Sequence, residues 1–171
     1  MYVLTLFLGF LGNPAHATEP LPVDGEGVPF HDELLDRLVG TWKVEGEILG
    51  SPATQTLTAD WTLAHQFLAL HILETTPGTR SPYEAHVFLG YDNMSERYVA
   101  HWIDVFGGRT SETLGYGTRT GDTLELVFEY PHGPFRTQFI WNAKTATWRL
   151  TGRTKTSQGV WMDFMRYDLH H

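Results

Sequence analysis

Cysteine is absent from the 171 residues. Its absence excludes disulfide scaffolds, thiolate nucleophiles, a lipid anchor on cysteine, and Cys-ligated zinc or iron-sulfur centres. Basic residues are few: 12 Lys plus Arg face 20 Asp plus Glu, for a formal net charge of -8. That sign is wrong for tracking a phosphate backbone or an anionic membrane, so no nucleic-acid partner is expected. Also missing are a nucleophile elbow, a Walker sequence, an HExxH pair and a dinucleotide fingerprint, and no serine sits in a triad context. What is plentiful is apolar surface: 42% hydrophobic and 13% aromatic residues against 19% charged. That is enough to offset chain entropy with a core. The length fits one domain, since domains commonly run to about 100–200 residues.

Long apolar runs are limited to Tyr2–Leu11, followed by Gly12-Asn13-Pro14 and the small-x-small triplet Ala15-His16-Ala17. This pattern reads as a signal peptide over residues 1–17, with an uncleaved anchor as the alternative and only the terminal amine as positive charge ahead of the run. Export to the periplasm or medium is expected. Stable membrane insertion is not, because a span needs about 20 apolar residues. Residues 18–29, with Pro20, Pro22, Gly25, Gly27 and Pro29, read as a flexible lead-in to a single β-barrel domain over residues 30–171.

Helical periodicity is confined to one stretch, where Phe30, Leu34 and Leu38 recur, Leu35 widens the stripe and Gly40 follows as a stop. From Thr41 onward about ten runs alternate apolar with polar residues: Trp42, Val44 and Ile48 oppose Lys43, Glu45 and Glu47, and Leu124, Leu126 and Phe128 oppose Thr123, Glu125 and Glu129. The connections are hairpin-sized, which leaves no room for crossover helices and requires antiparallel neighbours. So many strands favour closure, and the expected fold is an all-β, up-and-down antiparallel barrel with one short N-terminal helix. A β-sandwich is the alternative.

A short helix followed by Leu38-Val39-Gly40-Thr41-Trp42 resembles the start of calycin-type, lipocalin-like barrels, in which a Gly-x-Trp motif opens the first strand and its Trp closes the barrel base. More specifically, the chain resembles the DUF1579 family of exported bacterial proteins. The residues that carry this are His31, Leu34 and Leu38; Phe88-Leu89-Gly90-Tyr91-Asp92; Tyr98, Trp102 and Asp104; Gly115 and Gly117; and Met165-Arg166-Tyr167. The resemblance implies a fold and an exported setting and names no cofactor. Nitrobindin-like barrels, a more distant likeness, ligate haem through a histidine near the C-terminus. Here the closing strand, read as Trp161 to Asp168, has no histidine, and His170 and His171 are expected beyond it as a frayed tail.

His71, His86 and His101 are spaced fifteen apart on three successive strands. A four-residue loop from Asp92 to Ser95 would set His86 opposite His101, and a longer loop around Pro77-Gly78 would set His71 beside His86. Three imidazoles in a row could hold one ion, giving a zinc-type hydrolase or lyase. On these strands both faces are apolar: Phe67, Ala69, Leu73, Phe88, Val99 and Ile103 accompany the histidines, and Leu68, Leu70, Ala85, Val87, Ala100 and Trp102 lie opposite. Such a wall invites a cover, by a second subunit, by the lead-in segment or by the helix, and a homodimer through these strands is expected.

Asp104 shares a face with Tyr98 and Trp102 and is either a polar anchor for a ligand or the cap of the turn toward Gly107-Gly108. Its candidate cationic partners are Arg109, Arg136, Arg149 and Arg166. The leading expectation is a barrel that binds a small apolar or amphipathic molecule inside. Its candidate ligand-binding residues are His71, His86, His101, Tyr98, Trp102, Asp104, Tyr116, Phe128, Arg136 and Phe139. The alternatives are the three-histidine metal enzyme and a structural homodimer with a filled barrel.

Overall fold

The computed structural model describes residues 28–109 and 113–171. The expected signal peptide and nearly all of the lead-in lie outside the described residues. A single turn of helix, α1 (Glu33–Asp36), precedes ten strands: β1 (Gly40–Ile48), β2 (Ser51–Thr62), β3 (Phe67–Glu74), β4 (Glu84–Asp92), β5 (Arg97–Asp104), β6 (Leu114–Thr120), β7 (Thr123–Tyr130), β8 (Gly133–Asn142), β9 (Thr147–Lys155) and β10 (Trp161–His170). Each strand pairs antiparallel with its sequence neighbour, and β1 pairs with β10 to close the barrel. Closure removes both bare edges. The Leu49-Gly50 turn between β1 and β2 has φ of 49° and 77°, the two left-handed residues that a two-residue hairpin needs.

Period-two alternation sorts the side chains as the sequence requires. Trp42, Val44, Leu57, Leu70, Val87, Leu126, Phe139 and Leu150 point inward and are at most 2% exposed. The outer face of β3–β5 carries Phe67, Ala69, Leu73, Phe88, Val99 and Ile103, the last 48% exposed.

The expected helix is shorter than the Phe30–Leu38 stripe suggests. Only Asp36 N–H reaches back four residues, to Asp32 O, whereas Arg37, Leu38 and Val39 N–H bond to carbonyls three residues back. The tightening follows from what the segment does: it plugs one end of the barrel. Leu34, Leu35 and Leu38 are at most 1% exposed. Three indoles fix the segment from the barrel wall: Trp42 Nε1–H donates to Leu38 O at 2.8 Å, Trp148 Nε1–H to Arg37 O at 3.3 Å and Trp61 Nε1–H to Asp36 Oδ1 at 2.8 Å. Gly40, expected as a helix stop, is the first residue of β1.

Asp32 ties this plug to the opposite wall. Its carboxylate caps α1 by accepting from Leu34 N–H and Leu35 N–H at 2.8 and 2.9 Å. It also accepts the Tyr98 hydroxyl from β5 and the Arg119 guanidinium from β6, the latter at 3.2 Å. Burial alone would raise its pKa. The Tyr98 and backbone hydrogen bonds and the Arg119 charge outweigh that and hold it below the usual carboxylate range.

The chain end is also ordered differently from expectation. β10 runs to His170, which pairs with Lys43, and the His171 ring lies 3.9 Å from that of Trp42 with Nδ1 3.1 Å from Thr41 O. The tail is not frayed; the last two histidines continue the β1–β10 seam.

Candidate functional site

The plug fills one half of the barrel and leaves the other half empty. From the open end a cavity of about 680 Å³ runs inward to Leu150 and Phe128, within the range of about 300–1,000 Å³ typical of small-molecule sites. Period two explains its lining. Ile48, Ala53, Gln55, Ile72 and Glu74 come from the inward positions of β1, β2 and β3, Trp102 and Asp104 from β5, Phe128 and Tyr130 from β7, Phe135 and Thr137 from β8. Eight of the lining side chains are aromatic, and Val105 and Phe106, 56% and 64% exposed, stand at the rim.

The polar groups cluster on one side of the mouth. Tyr83, in the segment before β4, connects them. Trp102 Nε1–H donates to the Tyr83 hydroxyl at 2.9 Å, that hydroxyl donates to Asp104 Oδ2 at 3.1 Å, and Tyr83 N–H donates to Glu74 Oε2 at 3.0 Å. Asp104 Oδ1 accepts Phe106 N–H at 2.9 Å. The carboxylate therefore does both things the sequence left open: it caps the turn after β5 and it faces the cavity. Burial, then the Asp104 carboxylate, raises the Tyr83 pKa against the opposing Trp102 bond, so Tyr83 stays a donor across the physiological range. Deeper in, the Tyr167 hydroxyl accepts from Gln55 Nε2 at 3.5 Å; its pKa is pushed up to about 12, by burial first and the Glu74 charge second.

Residues 29–171 match the family described as protein of unknown function (DUF1579). The chain belongs to that family. The closed ten-strand barrel is compatible with the calycin-like reading of DUF1579. No curated protein matches the chain.

In this DUF1579 barrel the sequence-derived candidates fall into three places. Trp102, Asp104 and Phe128 line the cavity. Tyr98 and Phe139 face inward but belong to the filled half, Tyr98 bound to Asp32 and Phe139 fully buried. Outside the cavity are His71, His86, His101, Tyr116 and Arg136. Arg97 stacks on the Tyr116 ring at 3.8 Å, and Arg136 lies 4.3 Å from the Trp161 ring, with Glu125 3.5 Å from its Nε. Among the described residues Asp104 is hydrogen-bonded to Tyr83 and the turn rather than to an arginine, while Arg149 pairs with Asp168.

The three histidines do not converge. His71 is opposite His86 as expected, with parallel rings 4.6 Å apart, but His86 is opposite Ile103, and His101 is opposite Phe88 and packs on Phe67. The cause is the β4–β5 turn. Asp92 accepts Met94 N–H and the Ser95 hydroxyl, so the turn spans residues 93–96, one residue later than the sequence suggests, and the register moves by two. Glu84 takes the third place: its Oε1 lies 2.7 Å from His71 Nε2, and the ligand atoms of His71, Glu84 and His86 all fall within 4.8 Å of one another. These are the residue types that hold zinc, but they form an exposed cross-strand cluster on the outer wall.

The cavity residues that sequence reasoning missed include the polar Gln55, Glu74, Tyr83, Thr137 and Tyr167. Gln55 and Glu74 carried a signal. Each is a polar residue at an inward position of an alternating run, next to Leu57 and Ile72. Tyr83 carried none, since it precedes its strand.

Proposed function

We propose that this is an exported barrel that holds one small apolar or amphipathic molecule in its open half. One observation carries the reading: the plugged base makes a cup whose upper half is wide, aromatic and empty of side chains, with Glu74, Asp104 and Tyr83 at the mouth. Apolar lining supplies affinity at about 0.8 kcal/mol per buried methylene, and the mouth fixes orientation. The zinc-type hydrolase or lyase is less well supported, since it drew on three histidines and the register provides two plus Glu84, on the outside of the wall.

Native mass spectrometry of the protein recovered from its source tests this. The expected spectrum has one added small-molecule mass per chain, lost on denaturation; bare chain mass under every gentle extraction would contradict it. The same spectrum reads the subunit count. The apolar outer face of β3–β5 supports a homodimer, which a monomer at all concentrations would remove.

A further inference from the structure

Among the described residues the mouth of the cavity carries charge of one sign. Among the described lining residues the charged groups are Glu74 and Asp104, and there is no Lys, Arg or His. Both carboxylates are anchored to the same residue, Tyr83, one through its backbone N–H and the other through its hydroxyl. They therefore border the same mouth from the two ends of Tyr83, Glu74 at its backbone and Asp104 at its hydroxyl.

The donors on this side are already used. Trp102 Nε1–H is spent on Tyr83, and the Tyr83 hydroxyl proton on Asp104. The chain of hydrogen bonds ends on an acceptor, and Glu74 Oε1 accepts no hydrogen bond among the described residues. A guest reaching this point meets two negative acceptors, with no cation among the described lining residues. It also meets aromatic rings: Phe106 has its centroid 6.1 Å from that of Tyr83, and Trp102 and Tyr130 border the same space. Carboxylates beside aromatic faces bind organic cations through ion pairing and cation–π attraction, both strengthened in a partly water-excluded site. The net charge of -8 adds attraction at longer range. An anionic head group would be repelled on every one of these counts.

We infer that the molecule held in the cavity is an organic cation, an amine head group on an apolar body, with the ammonium at the acidic side of the mouth that Glu74 and Asp104 line. The inference rests on the ligand-binding reading of this cavity and narrows it to a chemical class. It excludes fatty-acid-like guests oriented with the carboxylate at the mouth.

Three decyl probes separate the possibilities by isothermal titration calorimetry at neutral pH: decylammonium, decanol and decanoate. The expected order is decylammonium, then decanol, then decanoate, with about tenfold or more between the first and last, the ratio that one charge-assisted contact commands. Raising salt from about 0.05 to 0.5 M should narrow the gap, because screening lengths fall below the size of the mouth. In Glu74→Gln/Asp104→Asn the gap should shrink to about threefold or less while decanol affinity holds. Glu74→Gln alone, which retains the bond from Tyr83 N–H, should give part of the effect if the double variant folds poorly. Equal binding of all three probes overturns the cationic assignment and leaves the cavity reading intact, and tighter decanoate binding does the same. A preference that survives in both variants overturns the role of these carboxylates, and failure of every probe to bind overturns the cavity reading with it.

Discussion

Replacing Asp32 by alanine is expected to destabilise the barrel by about 2–4 kcal/mol, as much as truncating one of the buried leucines of the plug. The cap contributes about 1 kcal/mol of that. The remainder comes from stranding the Tyr98 hydroxyl and the Arg119 guanidinium, which converge on a carboxylate with a side chain only 5% exposed. Arg119, 31% exposed, can turn to solvent, which keeps the loss below that of a fully buried broken pair. For a domain of this size the melting midpoint should fall by about 2–4 °C per kcal/mol. Asp32→Asn, which keeps an acceptor for α1 but not the charge, should lose less.

The pH dependence of this effect has a definite sign. Asp32 has a folded-state pKa below its ordinary value of 3.8. Its stabilisation is therefore present in full above the unfolded-state pKa and is lost as pH falls through the folded one. Stability curves of the parent and Asp32→Ala, followed by chemical denaturation, should run apart at neutral pH and converge in that acid window. Curves that stay parallel would show that the carboxylate charge is not what binds the plug.

The second large effect is expected at Gly117 on β6. Its φ is ordinary, so the requirement is space: a Cβ there would overlap Glu125 O and lie 2.9 Å from Leu126 Cα. Gly117 pairs with Tyr98 on one side and Leu126 on the other, so neither neighbour can retreat without opening the barrel wall. Gly117→Ala should cost more than about 4 kcal/mol or abolish soluble folded protein. Gly121 offers the contrast. It has φ of 58°, and a Cβ there would meet nothing within 4 Å, so Gly121→Ala should cost only about 1 kcal/mol of backbone strain. Thermal denaturation of the two variants side by side separates steric exclusion from conformational preference.

The strands were legible because a barrel wall with a dry inside and a wet outside writes period two into each run, as at Trp42–Ile48 and Leu124–Phe128. Register was not legible, because it turns on single residues. The Asp92 side chain captures Met94 N–H and the Ser95 hydroxyl, Glu96 takes a φ of 52°, and His101 is carried two positions away from His86. Facing was ambiguous at β3–β5 because both sides are apolar there, and so His71, His86 and His101 could not be placed inside or outside. The plug was half legible: Leu34, Leu35 and Leu38 announced a buried stripe, but its hold on Trp42, Trp61, Trp148 and Tyr98 depends on contacts across the barrel base. The polar side of the cavity was legible in Asp104 alone; Glu74 was missed because β3 is apolar on both faces, which hid its inward position. What joins them, Tyr83, lies in an irregular segment with no pattern to read.

If the open half of the barrel is a receptacle, it should take up a neutral apolar dye and lose that capacity when it is filled. The most direct measurement is fluorescence titration with N-phenyl-1-naphthylamine on the parent protein and on Ala53→Trp. Ala53 is buried and faces the cavity from β2, so an indole there takes up part of the empty space. A receptacle predicts saturable uptake of one dye per chain with a blue shift in the parent, and weaker uptake in an Ala53→Trp variant whose circular dichroism is unchanged. Uptake that fails to saturate, or that is the same in a folded Ala53→Trp variant, would contradict it.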